Sequence, residues 1–131
     1  MLHVTCAIIE HKNKFLICQR SEQMKLPLKW EFPGGKVENG ESKEDCLRRE
    51  IREELGLEIE VGSALTVVEH HYPEFSLYLY PFLCTWIDGS LAIAEHAQAI
   101  WVSYDDLKNY DWAEADVPIV RELLFTGRET C

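Results

Sequence analysis

Between Ser42 and Leu55 the chain repeats with the period of an α-helix, and both ends of that helix are marked. Ser42 is a residue type that caps an N-terminus by accepting an amide hydrogen bond. Glu44 and Asp45 place negative charge in the first turn, and Gly56 is positioned to end the helix in a left-handed turn. At about 100° per residue, Leu47, Ile51 and Leu55 share one stripe, and Glu50, Glu53 and Glu54 share an adjoining arc of similar width. Such a helix must lay its apolar stripe on a core, so it brings three carboxylates to the border of that core. Alone, the arrangement is unfavourable. Like charges three or four residues apart cost roughly 0.2–0.5 kcal/mol per pair, and the helix dipole disfavours anions in the last turn, where Glu53 and Glu54 fall. Arg48, Arg49 and Arg52 offset part of this. A solvated, ion-paired face is the usual fate of such a charge run, whereas hard oxygen ligands beside a glycine-rich loop suit Mg²⁺ or Mn²⁺.

The rest of the chain reads as short strands around this helix. Residues 3–9 and 14–19 are apolar runs flanking His11-Lys12-Asn13, the pattern of a β-hairpin. Residues 21–35, with Pro27, Pro33, Gly34 and Gly35, read as a loop. Residues 64–71 and 76–87 are strand-like around Pro73-Glu74, with Pro81 demoting part of the second run to an edge or a bulge. Ala99 to Ser103 is a further strand, Asp105 to Leu107 a helical turn, and Asp116 to Phe125 a second helix with Pro118 in its first turn. The two histidines of His70-His71 should point to opposite faces of a strand and cannot easily chelate one ion. Strands and helices are mixed, which predicts an α/β class with helices covering a sheet.

With 131 residues and no linker or repeat, one domain spanning 1–131 is expected. The net charge of −10 excludes a nucleic acid polymer as partner, because polyphosphate backbones are held by arrays of Lys and Arg. A small anionic substrate remains compatible if a cation mediates the contact. Five cysteines without a C-x-x-C fit neither a disulfide framework nor a zinc site, and free thiols point to a reducing cytoplasm. No run approaches the roughly 18 apolar residues of a membrane span, so no membrane association is expected.

The segment around the helix carries a resemblance. Gly35, five residues, Glu41, seven residues, Arg49-Glu50, Ile51, Arg52, Glu53-Glu54, Leu55, Gly56 and Leu57 match every defined position of the Nudix box. So many fixed residues at fixed spacing make a specific signal. Trp30-Glu31-Phe32-Pro33-Gly34-Gly35-Lys36 is similar to the MutT-like branch of that family, which removes oxidised nucleoside triphosphates. Glu95 to Val102 and Ala115 to Val120 are similar to CTP pyrophosphohydrolases of the same branch.

The resemblance implies the Nudix fold, an α/β/α sandwich with a mixed β-sheet. It also implies a Mg²⁺-dependent hydrolase (Mn²⁺ serving as well) that converts a nucleoside triphosphate into the monophosphate and pyrophosphate. Glu50 and Glu54 would be the principal metal ligands, with Glu53 sharing the cluster, the Gly34 carbonyl completing part of the shell and Glu95 adding a ligand or the general base. Arg49 would hold the carboxylates, Glu41 would support the loop, and the base is either Glu53 or Glu95. Arg20, Gly35 and Lys36 are placed by resemblance at the phosphates. Phe32, Phe75, Trp112 and Asp116 are candidates for the base pocket, since aromatic faces stack on bases and a polar group reads an edge.

Asp116 departs from the MutT pattern, which carries Asn there. An ionised Asp only accepts hydrogen bonds, so it favours bases that present N–H groups. Oxidised purines such as 8-oxo-guanine and a broader range including CTP or 5-modified pyrimidine triphosphates both remain open. So do other Nudix substrates such as ADP-ribose and, outside catalysis, a Nudix module that only binds nucleotides. These motifs leave the oligomeric state open.

Overall fold

The computed structural model describes residues 1–130, with side chains described through Thr126. β1 (Leu2–His11) and β2 (Lys14–Gln19) form the expected hairpin, joined by Lys12 at φ 49° and Asn13 at φ 64°. Two consecutive left-handed residues give the turn whose twist matches that of its strands. The hairpin then splits. β1 and β2 pair only at Glu10 with Phe15 and His11 with Lys14, and the segment read as loop fills the gap beyond. Its β3 (Trp30–Glu31) pairs with Gln19 and Cys18 of β2, and its β4 (Gly34–Lys36) pairs with Cys6, Thr5 and Val4 of β1. Strands of two and three residues interrupted by Pro33 have too little length for alternation to show, so sequence pattern missed them.

On its other side β1 runs parallel to β7 (Ser76–Gly89), from Leu2 beside Leu77 to Glu10 beside Thr85. Along the opposite edge of β7 lie β6 (Val68–His71) and β5 (Leu57–Ala64), end to end and antiparallel to it. One strand had been expected over 64–71. Instead β5 begins directly after Gly56, where Leu57 and Ile59 alternate with Glu58 and Glu60, and residues 65–67 lie outside the strands. Pro81 sits opposite this junction, its carbonyl accepting the Leu65 N–H at 2.9 Å. The N–H and C=O of an extended residue face the same side, so the missing proline N–H faces the interruption between β5 and β6. The register also shifts between Val61 and Ala64, but the extra residue lies on β5, while β7 runs unbroken through Pro81 and is paired on both sides rather than forming the expected edge. β8 (Gln98–Ser103) closes the outer edge of β2.

Alternation along β1 and β2 divides the apolar side chains between two faces. Ala7, Ile9, Leu16 and Cys18 face α1 (Lys43–Leu55), which contributes fully buried Leu47, Ile51 and Leu55. Cys6, Ile8, Phe15 and Ile17 face the layer that includes α2 (Val117–Thr130), with Ile119 and Leu123 buried against them. The result is the α/β/α sandwich with a mixed sheet.

Ser42 Oγ accepts the Asp45 N–H at 3.0 Å, and Gly56 takes φ 70° while its N–H bonds the Arg52 carbonyl. Ser42→Ala is expected to cost about 1 kcal/mol in urea unfolding and Ser42→Gly only a few tenths. Cys6, Cys18, Cys46 and Cys84 are free and buried. Burial pushes the Cys84 thiol up to about 12, the opposite of a reactive thiol. Among the described residues no helix is long and apolar enough to cross a membrane.

Candidate active site

The split between β1 and β2 places the β4 backbone against α1. A Cβ on Gly35 would lie 2.3 Å from Glu50 Cδ and 2.5 Å from its Oε2. A Cβ on Gly34 would lie 1.9 Å from the Thr5 carbonyl oxygen. The first glycine thus makes room for a carboxylate and the second for the neighbouring strand. Two adjacent glycines carry two separate steric demands.

Arg49 organises the loop and helix. Its Nε donates to Glu41 Oε2 at 2.7 Å and its Nη2 to Glu41 Oε1 at 2.9 Å, a bidentate pair. Its Nη1 donates to Glu50 Oε1 at 2.9 Å and to Glu53 Oε2 at 3.3 Å. Glu41 also accepts the Glu38 N–H at 3.1 Å, fixing the loop that precedes the helix. Its carboxyl is held at about 2, chiefly by the Arg49 hydrogen bond, and the guanidinium is correspondingly raised by Glu41 and Glu50. One cation therefore bonds three carboxylates, with Glu38 Oε1 a fourth at 3.8 Å from Nη2.

Glu54 receives none of that compensation. Its Oε2 is buried with no hydrogen-bond partner. Its carboxyl is pushed far above the ordinary range, first by burial, then by the charge of and hydrogen bond with Glu50, then by Glu31 and Glu95. Four glutamates thus share one neighbourhood with too little positive charge. That donor set is all oxygen and suits a hard divalent cation, which would supply a partner for the orphaned oxygen. Among the described residues no three His, Cys, Asp or Glu side chains already converge on one cation position, and Arg49 holds Glu50 and Glu53 meanwhile. Glu53 is 60% exposed, and its one described side-chain partner is Arg49. Glu95 is exposed in the segment between β7 and β8. The Ala94 N–H bonds the Glu54 carbonyl at 3.0 Å and the Ala97 N–H bonds the Gln19 carbonyl at 2.9 Å, so this segment is fastened to α1 on one side and β2 on the other.

A cavity of about 290 Å³ is lined by Glu54, Gly34, Gly35 and Lys36 and also by Arg20, Phe32, Phe75 and Asp116. It joins Glu54 to the expected base pocket, while Glu50, Glu53 and Glu95 lie outside its lining. Lys25 Nζ stands 4.9 Å from the Phe75 ring centroid at the lining of the same cavity. Trp112 is placed differently from expectation. It packs behind Phe32, ring centroids 4.9 Å apart, and gives its indole N–H to the Leu107 carbonyl at 2.7 Å, outside the cavity lining. Its ring supports the pocket from the core. Asp116 is 5% exposed and accepts the Phe32 N–H on Oδ2 at 2.9 Å. Burial, then the charge of Glu31, raises its carboxyl well above the usual range. A carboxyl that kept its proton there would donate as well as accept, whereas an ionised one only accepts.

Two residues were not singled out from the sequence. Glu31 Oε1 accepts from Arg20 Nη1 at 2.8 Å, and Glu31 Oε2 pairs with His96 Nε2 at 2.8 Å. His96 is buried, its side chain 2% exposed. Glu31 lies beside Pro-Gly-Gly and His96 beside Glu95, but neither has a spacing that marks it; only the fold brings positions 65 residues apart into contact.

The NUDIX domain family model matches residues 1–123. The "CTP pyrophosphohydrolase" of Escherichia coli K12 is 36% identical over 124 residues, covering 95% of this chain and 92% of that protein. The "8-oxo-dGTP diphosphatase" of Buchnera aphidicola subsp. Schizaphis graminum is 31% identical over 121 residues, covering 92% of each. The solution structure of the MutT protein from methicillin-resistant Staphylococcus aureus 252 superposes with a TM-score of 0.77 at 42% identity, over 96% of this chain and 97% of that one. With the Nudix box, the split hairpin and the glutamate cluster in place, the chain belongs to the NUDIX family.

Proposed function

We propose that this chain is a Mg²⁺-dependent nucleoside triphosphate pyrophosphohydrolase, releasing the monophosphate and pyrophosphate, that acts on oxidised or modified nucleotides such as 8-oxo-dGTP. The observation that carries this reading is a single cavity lined both by Glu54, one of whose carboxyl oxygens has no partner, and by the buried Asp116. Its dimensions and mixed lining suit a nucleotide, with a cation-hungry region and an apolar, base-sized region. Glu50 and Glu54 would hold the cation, with Glu53, Glu95 and the Gly34 carbonyl at hand. A divalent cation in such a site neutralises phosphate oxygens and acidifies a water.

The chain's own residues do the rest. Arg49 and Glu41 keep the helix and loop in register. Gly35 admits the Glu50 carboxylate. Glu53 or Glu95, both exposed enough to move, takes the proton of the attacking water. Lys36 and Arg20 line the cavity where phosphate oxygens would lie, although Arg20 is already committed to Glu31. Phe32 and Phe75 offer faces to the base, and Asp116 offers a carboxyl edge.

Asp116 also favours a second reading, CTP or 5-modified pyrimidine triphosphates, because its carboxyl can accept from an exocyclic amino group and, when neutral, donate to a neighbouring acceptor. Pyrophosphate release from a panel of canonical and oxidised triphosphates, with Mg²⁺ and with chelator, tests both. Magnesium-dependent release is expected, and its absence on every nucleotide refutes hydrolysis. Asp116→Asn is expected to reorder kcat/KM across the panel while leaving the Mg²⁺ requirement unchanged; an unaltered ranking would remove Asp116 from base selection.

A further inference from the structure

We propose that His96 is a positioning residue that fixes the Glu31 carboxylate between the metal cluster and the base pocket, an inference that rests on the hydrolase reading of that cavity. Glu31 lines the same cavity as Glu54 and Asp116, and so stands beside both the carboxylate cluster and the base region. Where its oxygens stand therefore matters to both the phosphate and the base regions. Arg20 holds Oε1 from the loop side, and His96 Nε2 holds Oε2 from the core side.

The two holders differ in kind. Arg20 reaches Glu31 with a long side chain that is 19% exposed. The His96 ring is almost wholly enclosed, on a backbone segment fastened on each side by the Ala94 and Ala97 amide bonds. His96 Nδ1 is buried without a partner, so among the described residues the ring's single polar contact is Glu31. A carboxylate partner requires the proton on Nε2. A buried imidazole with one bond made and one forgone is costly as mere packing. Its contribution is to leave Glu31 a single orientation.

Two measurements test this. Steady-state kinetics would compare wild type, His96→Leu, His96→Gln and Glu31→Gln, with the Leu change also made in the Glu31→Gln background. Removing a supporting partner of this sort typically costs about 10- to 100-fold in activity, and that loss in kcat/KM is expected for His96→Leu. Gln, which can present an N–H near the Nε2 position, should recover most of it. In the Glu31→Gln background the Leu change should add little, the mark of two residues acting as one. Equal losses in both backgrounds would overturn the proposal. Nitrogen-15 NMR of the imidazole, which needs no apolar variant to fold, should show the Nε2-protonated ring with a resonance displaced by Glu31→Gln; an Nδ1-protonated ring indifferent to that change would also overturn it. If the wild type hydrolyses no nucleotide, the hydrolase reading falls, yet the NMR result still decides whether His96 holds Glu31.

Discussion

Glu54→Gln is expected to lower kcat by roughly 10³-fold, while the metal-free protein melts at a higher temperature than wild type. Stabilisation of transition-state charge by a bound cation amounts to several kcal/mol, and a loss of about 4 kcal/mol corresponds to three decades in rate. The stability change has the opposite sign because Glu54 places an acid in a buried position among Glu50, Glu31 and Glu95 with an oxygen unpaired. An amide removes the titratable group at nearly the same volume. The pH dependence follows from the direction of the shift. A carboxyl raised above its ordinary value of 4.5 keeps its proton in the folded state after the unfolded chain has released its own. The unfolded state then binds fewer protons, so the stability of the metal-free protein falls as pH rises through that window. Glu54→Gln should flatten this fall. Saturating Mg²⁺ should reverse it in wild type, since a ligand at 100 times its Kd contributes about 2.7 kcal/mol, and should do much less in the variant. Thermal melts from pH 4.5 to pH 9, with Mg²⁺ and with chelator, read all of these effects. A wild-type profile identical to that of Glu54→Gln would contradict the account.

Gly35→Ala and Gly34→Ala, one residue apart, should fail in different ways. At Gly35 the added methyl meets the carboxylate end of Glu50, a group that can swing aside. The fold should survive with a melting temperature near that of wild type, while the displaced carboxylate leaves the cation position and activity falls by about 10²-fold, the scale on which a misplacement of about 1 Å acts. At Gly34 the methyl meets the Thr5 carbonyl and the Cys6 Cα, which are backbone and cannot move without breaking the pairing of β4 with β1. Overpacking costs typically 1–3 kcal/mol, and an unyielding neighbour puts this case at about 3 kcal/mol or more. Urea unfolding together with the pyrophosphate assay separates the two. Similar stability losses in both variants would mean that Gly35 does not serve the site in particular.

What was legible in the sequence follows from how local the signal was. Helix α1 was readable because Ser42, Gly56 and the 47, 51, 55 stripe are features of one continuous segment. The hairpin was readable in the same way, whereas the irregularity expected at Pro81 falls on β5. The wedge formed by Trp30 to Lys36 was not, because its strands are too short for periodicity and owe their pairing to the separation of β1 from β2. Strand β5 was overlooked because it starts immediately after the helix stop, where Glu58 and Glu60 dilute the apolar pattern. Among site residues, Glu50, Glu53, Glu54, Glu41 and Arg49 lie within one fixed spacing, and the structure brings them together. Glu31 and His96 come from distant segments, and only their contact reveals them. The burial of Asp116 and its nearness to Glu31, which push its carboxyl upward, were not legible because residue type alone says nothing of surroundings.

The central claim is that a divalent cation settles among Glu50, Glu53 and Glu54 against the Gly34-Gly35 backbone. Titrating Mn²⁺ into the ¹⁵N-labelled protein tests it most directly, because the ion's paramagnetism broadens resonances according to distance. Broadening should appear first at Gly34, Gly35 and the last two turns of α1, and should be lost in Glu54→Gln. Broadening that begins instead at the exposed acids Asp105 and Asp106, or at β5, with α1 unaffected, would contradict it.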